Sequence, residues 1–385
     1  MTQSDRISLV YHPDLFQYDF GAQHPLRPER IELGLDLLND LGIWSVGTET
    51  CVPVAAPDNL LSLIHSSQYI AAVREVDSGI LRGSELARFG LSSSDNPPFP
   101  NMHYASSLVA GGAAEATCAV MRRELDHVFH PTGGLHHAGR SRASGFCIYN
   151  DPALAAAVAA KEFGARVAYV DFDCHHGDGV QWLFYDDPSV LTVSFHESGR
   201  FLFPGTGGVE ERGEGEGAGY ATNFPFVPFT QDASWTHVIH TVLPPLLNQF
   251  APDLLLTVHG CDTHAWDPLT HLSLTTDAFV NQARLVHELA NRHCDGRWVA
   301  CGGGGYDWRR VVPRSWAIVW SEMSERPLPR ELPPAWLSRW HSDDLEPLPP
   351  HFRDNPDTVH PVRVDEIESA NRETLSEVMK AIGLG

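Results

Sequence analysis

Lysine is nearly absent from the chain: of 27 basic residues, only Lys161 and Lys380 are lysines. Basic residues as a whole are scarce beside 49 acidic ones, and the formal net charge is −22. A protein that tracks a phosphate backbone needs a basic field, so nucleic acid is excluded as the main partner. No CxxC spacing occurs, and the seven scattered cysteines (Cys51, Cys118, Cys147, Cys174, Cys261, Cys294 and Cys301) are odd in number. A disulfide framework is therefore not expected, and a reducing compartment is. Long apolar runs are also missing. The longest, Ala153 to Ala160, is far too short to span a bilayer. The opening MTQSDRISLVYHP shows no basic segment followed by an apolar one, so no leader is expected. These absences read as a soluble cytoplasmic protein with no membrane partner.

What is present suffices for a large core: 385 residues, 43 % of them hydrophobic. Short apolar runs read as strands at Ile7–Tyr11, Val128–His130, Arg166–Asp171, Val190–His196, Asp253–His259 and Trp298–Cys301. Several lack alternation, as expected of parallel strands covered on both faces. Between them lie helical stretches. In Thr276–Arg292, Phe279, Ala283, Val286 and Ala290 recur at spacings of four, three and four, with Thr276 as the expected N-cap. Strands alternating with helices predict a three-layer α/β domain. The Gly/Glu-rich stretch 205–219 reads as a mobile loop. Residues 326–361 carry nine prolines and read as an extended surface segment before a terminal helix, Val364–Ile382. The expected division is a catalytic domain over 1–325 and a Pro-rich extension, 326–385, packing on it.

Four polar clusters follow the predicted strands, where open parallel sheets bind ligands. The first, 131–151, holds two glycines and then His136 and His137; alone it reads equally as a loop with incidental histidines. In the second, 169–180, Asp171, Asp173 and His175 alternate, so on an extended strand end they point to one side. They suit a cation or a hydrogen-bonded loop anchor. In the third, 258–269, Asp262 can add a carboxylate, and two carboxylates with one histidine leave an open position, as in catalytic zinc sites. His259, His264 and His271 lie nearby and read as supporting residues. The fourth, 301–308, sets four glycines before Tyr306, a phenol able to donate to an oxyanion. A phosphate loop is the rival reading, but no Gly-Lys-Ser/Thr follows.

Together these strings resemble the histone deacetylase family: HPLRPER (24–30), GGLHHA (133–138), SGFCIYND (144–151), YVDFDCHHGDGV (169–180), TVSFHESGRFLFPGTG (192–207), GCDTHAWDPL (260–269) and GGGGYD (302–307). They cover roughly residues 8–325 in family order. SSSDNPPFPNMH (92–103), WRRVVPRSW (308–316) and the Pro-rich tail look most like the bacterial acetoin utilization branch.

The resemblance implies an arginase/deacetylase-like fold around a mostly parallel eight-stranded sheet. It implies zinc bound by Asp173, His175 and Asp262, with iron(II) as an alternative ion for such a ligand set. His136 and His137 match the tandem histidines, backed by Asp171 and Asp178. Tyr306 matches the oxyanion donor. Phe146 and Phe203, with Gly145, match the acyl-lysine tunnel; Asp95 matches the rim carboxylate, and Arg30 the arginine of an internal cavity. Potassium is implied at Asp171, Asp173, His175, Ser194 and the Phe195 carbonyl, with a remoter site around Phe184, Asp187, Val190 and Tyr220. The implied chemistry is attack of zinc-bound water on an acetamide. His137 serves as base and then acid, His136 stays charged, and Tyr306 stabilises the oxyanion. Cys261 departs from the small alanine usual before the third ligand, and Cys174 lies between two ligands. The leading reading is a protein lysine deacetylase acting on a metabolic enzyme such as an acetyl-CoA synthetase. The rivals are an acetylpolyamine deacetylase, an arginase-like two-metal hydrolase and a non-enzymatic binding protein.

Overall fold

The computed structural model describes residues 6–80, 83–359 and 361–384, apart from the side chains of Asp77 and Pro356. The first five residues, part of the stretch read for a leader, lie outside them. One eight-stranded sheet runs through the molecule. Its strands are β1 Ile7–Val10, β2 Thr50–Cys51, β3 His127–His130, β4 Val167–Asp171, β5 Val190–Glu197, β6 Ala221–Phe226, β7 Leu254–Val258 and β8 Trp298–Cys301. Their spatial order is β2-β1-β3-β8-β7-β4-β5-β6, and every strand pair is parallel.

The strands lack polar alternation because both faces are covered, and successive residues feed two separate cores. In β8, Trp298 and Ala300 enter one core, and Val299 and Cys301 the other. In β4, Ala168 and Val170 split from Val167 and Tyr169 in the same way. Helices Met102–Met121 and Asp151–Phe163 cover one face; Asp232–Phe250, Thr276–His293 and Val312–Ser324 cover the other. This is the three-layer architecture expected from the strand–helix alternation.

The six expected strands are present to within a residue at either end. Two were missed. β2 is only two residues long, and β6 (ATNFPF) contains Pro225, which reads against a strand. Pro225 is tolerated because β6 is an edge strand, where a missing N–H leaves no broken ladder bond. The N-cap of Thr276–His293 is Thr275, not Thr276: the Thr275 hydroxyl accepts from the Asp277 N–H at 3.2 Å. Thr276 instead holds Asp354, whose N–H donates to its hydroxyl at 3.0 Å.

The 205–219 stretch is anchored rather than free. The Glu211 carboxylate accepts from the Gly207 N–H at 3.0 Å and from Gln181 at 2.8 Å. Nor is the Pro-rich segment wholly extended. It contains the helix Pro334–Arg339 and buries Leu332, Trp336 and Phe352. The side chain of its Asp354 is buried against Arg314 at 2.7 Å and His264 at 2.9 Å.

His65 gives an expected pH dependence. Its Nδ1 lies 3.0 Å from the Gly139 carbonyl and its Nε2 3.1 Å from the Asn150 N–H, a pairing that only the neutral ring satisfies. Burial pushes its pKa down to about 4. The unfolded chain binds this proton at about pH 6.5, so the contribution is complete above that value and is lost as pH falls toward 4. Its share of the slope should approach ~1.4 kcal/mol per pH unit inside that window. Urea unfolding at stepped pH should show a flatter curve for His65→Gln than for the native chain. Parallel curves would refute the assignment.

Candidate active site

Register sets the site. His130, Cys301, Val258, Asp171 and Ser194, at or near the ends of β3, β8, β7, β4 and β5, lie in one row across the sheet. The loops leaving β3, β4, β7 and β8 therefore emerge together. They carry His136 and His137, then Asp173 and His175, then Asp262, then Tyr306.

Ligand atoms of Asp173, His175 and Asp262 all lie within 4.8 Å of one another. His175 Nδ1 is 3.1 Å from Asp173 Oδ1 and 2.9 Å from Asp262 Oδ2. All three residues are buried. Burial and the neighbouring Asp173 carboxylate push Asp262 up to about 7. Burial opposes ionisation of Asp173 too, but His136 and His175 hold it below the usual carboxylate range. Two buried carboxylates facing one point are costly unless a cation sits between them. The backbone makes room for one. A Cβ on Gly304 would lie 2.6 Å from Asp262 Oδ2 and 2.7 Å from Asp173 Oδ2. The donor set and this cradle fit a divalent ion. Cys174 points the other way, its thiol 3.8 Å from Glu197, and the Cys261 thiol lies 3.5 Å from the Gly304 carbonyl.

The two histidines are held from behind. His136 Nδ1 lies 2.7 Å from Asp171 and His137 Nδ1 2.6 Å from Asp178, while their Nε2 atoms face each other at 2.9 Å. With both Nδ1 atoms donating to carboxylates, one Nε2 must donate to the other. Burial disfavours charge on His136, but Asp171 and Asp173 outweigh it and raise its pKa to about 9. Burial and the adjacent His136 lower His137 to about 4, against the pull of Asp178. At neutral pH one ring is therefore cationic and the other is a free base.

Aromatic walls converge on this point. Phe203 meets His137 edge-on at 5.0 Å, and Phe146 meets Tyr306 at 5.6 Å. Tyr306 lies 6.4 Å from the His175 ring, centre to centre. Burial and the carboxylates of Asp262 and Asp173 hold its phenol pKa far above the usual value, so it keeps its proton. Gly145, at φ 49°, lets the chain pass His137, where a Cβ would lie 2.4 Å from Cδ2. Asp95 is exposed on the surface, its carbonyl 3.2 Å from His24, which packs on Phe146. Arg30 is buried and donates to the Gly303 carbonyl at 3.0 Å.

The residues read for potassium fall in two places. Asp171 and Ser194 are register partners on β4 and β5, with Phe195 next along β5. Phe184, Asp187 and Val190 form the turn into β5, and the Tyr220 carbonyl accepts from the Thr192 N–H at 2.9 Å beside it. Of the nearby histidines, His259 bonds Thr257 at 2.9 Å, His264 bonds Asp354 at 2.9 Å, and His271 bonds Glu197 at 2.8 Å.

Three supporting groups escaped sequence reasoning. Asn150 caps helix Asp151–Phe163 and also donates to the carbonyls of His136 and Ala138, at 2.8 and 2.9 Å. Its neighbour Asp151 accepts from the N–H groups of Gly134 and Leu135. An Asn-Asp pair opening an alanine-rich run is a cap signal that could have pointed here. Asp267 accepts from the Tyr306 N–H at 2.8 Å, and its Asp-Pro turn was legible. Tyr169, which donates to Asp171, carried no signal within its strand.

A family model described as "Histone deacetylase domain" matches residues 24–323. The chain is 43% identical over 374 residues to the acetoin utilization protein AcuC of Bacillus subtilis (strain 168), covering 97% of this chain and 96% of that one. It is 38% identical over 370 residues to AcuC of Staphylococcus xylosus, covering 96% and 94%. Among solved structures, an HDAC homolog complexed with SAHA aligns with a TM-score of 0.84 at 29% identity, covering 96% of this chain and 99% of that one. An HDAC homolog from Aquifex aeolicus aligns with a TM-score of 0.84 at 28% identity, covering 98% and 99%.

Proposed function

The chain belongs to the histone deacetylase family, and from that premise we propose that it hydrolyses the acetamide of acetyl-lysine in proteins, releasing acetate and the free amine. One observation carries the reading: a carboxylate–histidine ligand triad, a carboxylate-backed histidine pair and a protonated phenol face one point beside two phenylalanines.

Asp173, His175 and Asp262 would hold zinc, or iron(II). Such an ion supplies Lewis acidity and lowers the pKa of a coordinated water. The chain's own groups do the rest. His137, the neutral member of the pair, exchanges the hydrogen bond from His136 at its Nε2 for one from the attacking water, takes that water's proton, and returns it to the departing amine as the C–N bond breaks. His136 keeps its positive charge beside His137, where it favours the oxyanion that forms on the substrate carbonyl. Asp171 and Asp178 orient the two rings and raise their basicity. The Tyr306 hydroxyl donates to the carbonyl oxygen as that oxygen gains charge. Phe146 and Phe203 border the lysine stem, and Asp95 stands at the rim for a substrate amide. Arg30 lies behind the glycine turn, on the side where acetate would depart. Potassium at the two groups of residues described above belongs to the same proposal.

The relatives' name, acetoin utilization protein, supports a metabolic target such as an acetyl-CoA synthetase. Seven free thiols support a reducing, cytoplasmic setting. Among the described residues, no helix is long and apolar enough to cross a membrane.

Substrate choice is the test. An apolar tunnel rewards the lysine stem by roughly 0.8 kcal/mol per buried methylene, whereas a polyamine brings a charged amine within reach of the walls. Metal-loaded protein should show higher kcat/KM on acetyl-lysine peptides than on acetylspermidine. The reverse order would transfer the reading to polyamines.

A further inference from the structure

A channel runs along the outside of the site, between the C-terminal helix Val364–Ala381 and the loops that follow β5 and β6. It has two connected parts that share Phe201, Val227 and Ala370. One is an apolar groove of 660 Å³ and the other a polar one of 440 Å³. We propose that this channel seats the substrate polypeptide on one side of the acetylated lysine. An apolar side chain would lie in the groove, and a basic one against Glu373 and Glu377. The inference rests on the acetyl-lysine reading of the site.

Continuity with the site is the first argument. Phe201 stands two residues before Phe203, whose ring meets His137 edge-on. His271, on the groove floor, donates from its backbone and ring to Glu197, which in turn receives the thiol of Cys174 between Asp173 and His175. The neighbouring Thr270 hydroxyl donates to the Asp262 carbonyl. A segment lying in the groove thus touches the outer side of the loop that carries Asp262.

The second argument is the groove's apolar face. Phe201 is 58% exposed and Phe229 47% exposed, with Val362 and Ile367 lining the same space. Phe229 also holds φ at +65°, in the left-handed region that a bulky side chain rarely adopts. Folding gains little from an aromatic ring held there in water, and a bound segment would gain its buried face.

The third argument is charge. The polar part is lined by four carboxylates, Glu210, Glu211, Glu373 and Glu377, and one guanidinium, Arg200. At the C-terminal helix, the N-cap Arg363 pairs with Glu366, and Arg372 pairs with Glu368. Among the described residues, no ion pair joins Glu373 or Glu377 to a basic side chain, Lys380 of the same helix included. The wall is preformed. Asn371 ties the helix to Thr230 at 2.8 Å and Ser234 at 2.9 Å, so it need not be ordered by the substrate. Of the occupants such a surface could take, an apolar-and-basic polypeptide matches both parts, whereas an acidic one is repelled.

The test uses metal-loaded full-length protein and three kinds of substrate. These are Nε-acetyl-lysine amide without flanking residues, acetyl-lysine peptides with an apolar–basic pair scanned along either side, and the same peptides with glutamate replacing the basic residue. Two variants, on separate elements, probe the channel: Phe229→Asn, which keeps a residue tolerant of positive φ, and the double variant Glu373→Lys/Glu377→Lys. The native protein should prefer the apolar–basic peptides in one register by about tenfold in kcat/KM, less so at high salt. Phe229→Asn should remove the apolar part of that preference and the charge-reversed variant the basic part. Both should turn over the small amide at the native rate. A flat scan, or a preference that survives both variants, would overturn the inference while leaving the deacetylase reading intact. No turnover of any acetyl-lysine substrate, the amide included, would overturn both.

Discussion

Asp262→Asn should abolish metal binding and reduce acetamide hydrolysis to background, while the fold persists. Asparagine keeps an oxygen for the Cys174 N–H, which Asp262 Oδ1 now accepts at 2.8 Å. It removes one of two carboxylates that repel each other in a buried space. In metal-free protein the substitution should therefore be neutral or stabilising, because the charge that burial penalises is gone. In the presence of metal the order reverses, since only the native chain gains binding energy that is also folding energy. The loss of affinity should exceed the 10- to 100-fold, roughly, that losing an outer partner of a metal ligand costs. Metal analysis, thermal unfolding with and without chelator, and activity report these effects separately. A variant that retains one ion per chain would remove Asp262 from the ligand set.

Tyr306→Phe should slow turnover by about 10²–10³, or roughly 3–4 kcal/mol, with little change in KM. The hydroxyl is the only group removed. The ring keeps its edge contact with Phe146, and the backbone N–H keeps its bond to Asp267. A bond that strengthens as the carbonyl oxygen becomes negative acts on kcat more than on KM. The variant should bind metal normally and hold acetylated substrate long enough to capture it. Near-native kcat in a metal-replete variant would reduce Tyr306 to a packed aromatic beside a glycine turn.

Much of this molecule is legible along the chain, because the relevant signals are local. Six strands were readable as apolar runs, since parallel strands covered on both faces carry their own hydrophobic record. Helix Thr276–His293 was readable from its four-three-four spacing, and its cap was misplaced by one residue because Thr275 and Thr276 are equivalent in composition. Asp173 and His175 were legible as a pair two residues apart just beyond a strand, but β4 ends at Asp171, so the bend that follows it, and not strand geometry, aims them together.

What local signals could not carry is the pairing of distant segments. Asp262 lies 87 residues from His175, yet their side chains stand 2.9 Å apart because β4 and β7 are register partners. β6 was hidden by Pro225, acceptable only because tertiary position made it an edge. The Pro-rich segment was read as surface wrapping. Its prolines forbid long helices, but they say nothing of where Trp336 or Asp354 are buried.

Composition, six of the eight strands, the residue types of the polar clusters and the tandem histidines were legible in the order of residues, since each depends on neighbours within a few positions. The opposite charge states of His136 and His137, the cradle at Gly304 and the channel beside the C-terminal helix were not. Each depends on which groups come within a few ångströms from segments at least 35 residues apart along the chain, and burial there converts proximity into charge, fit and shape.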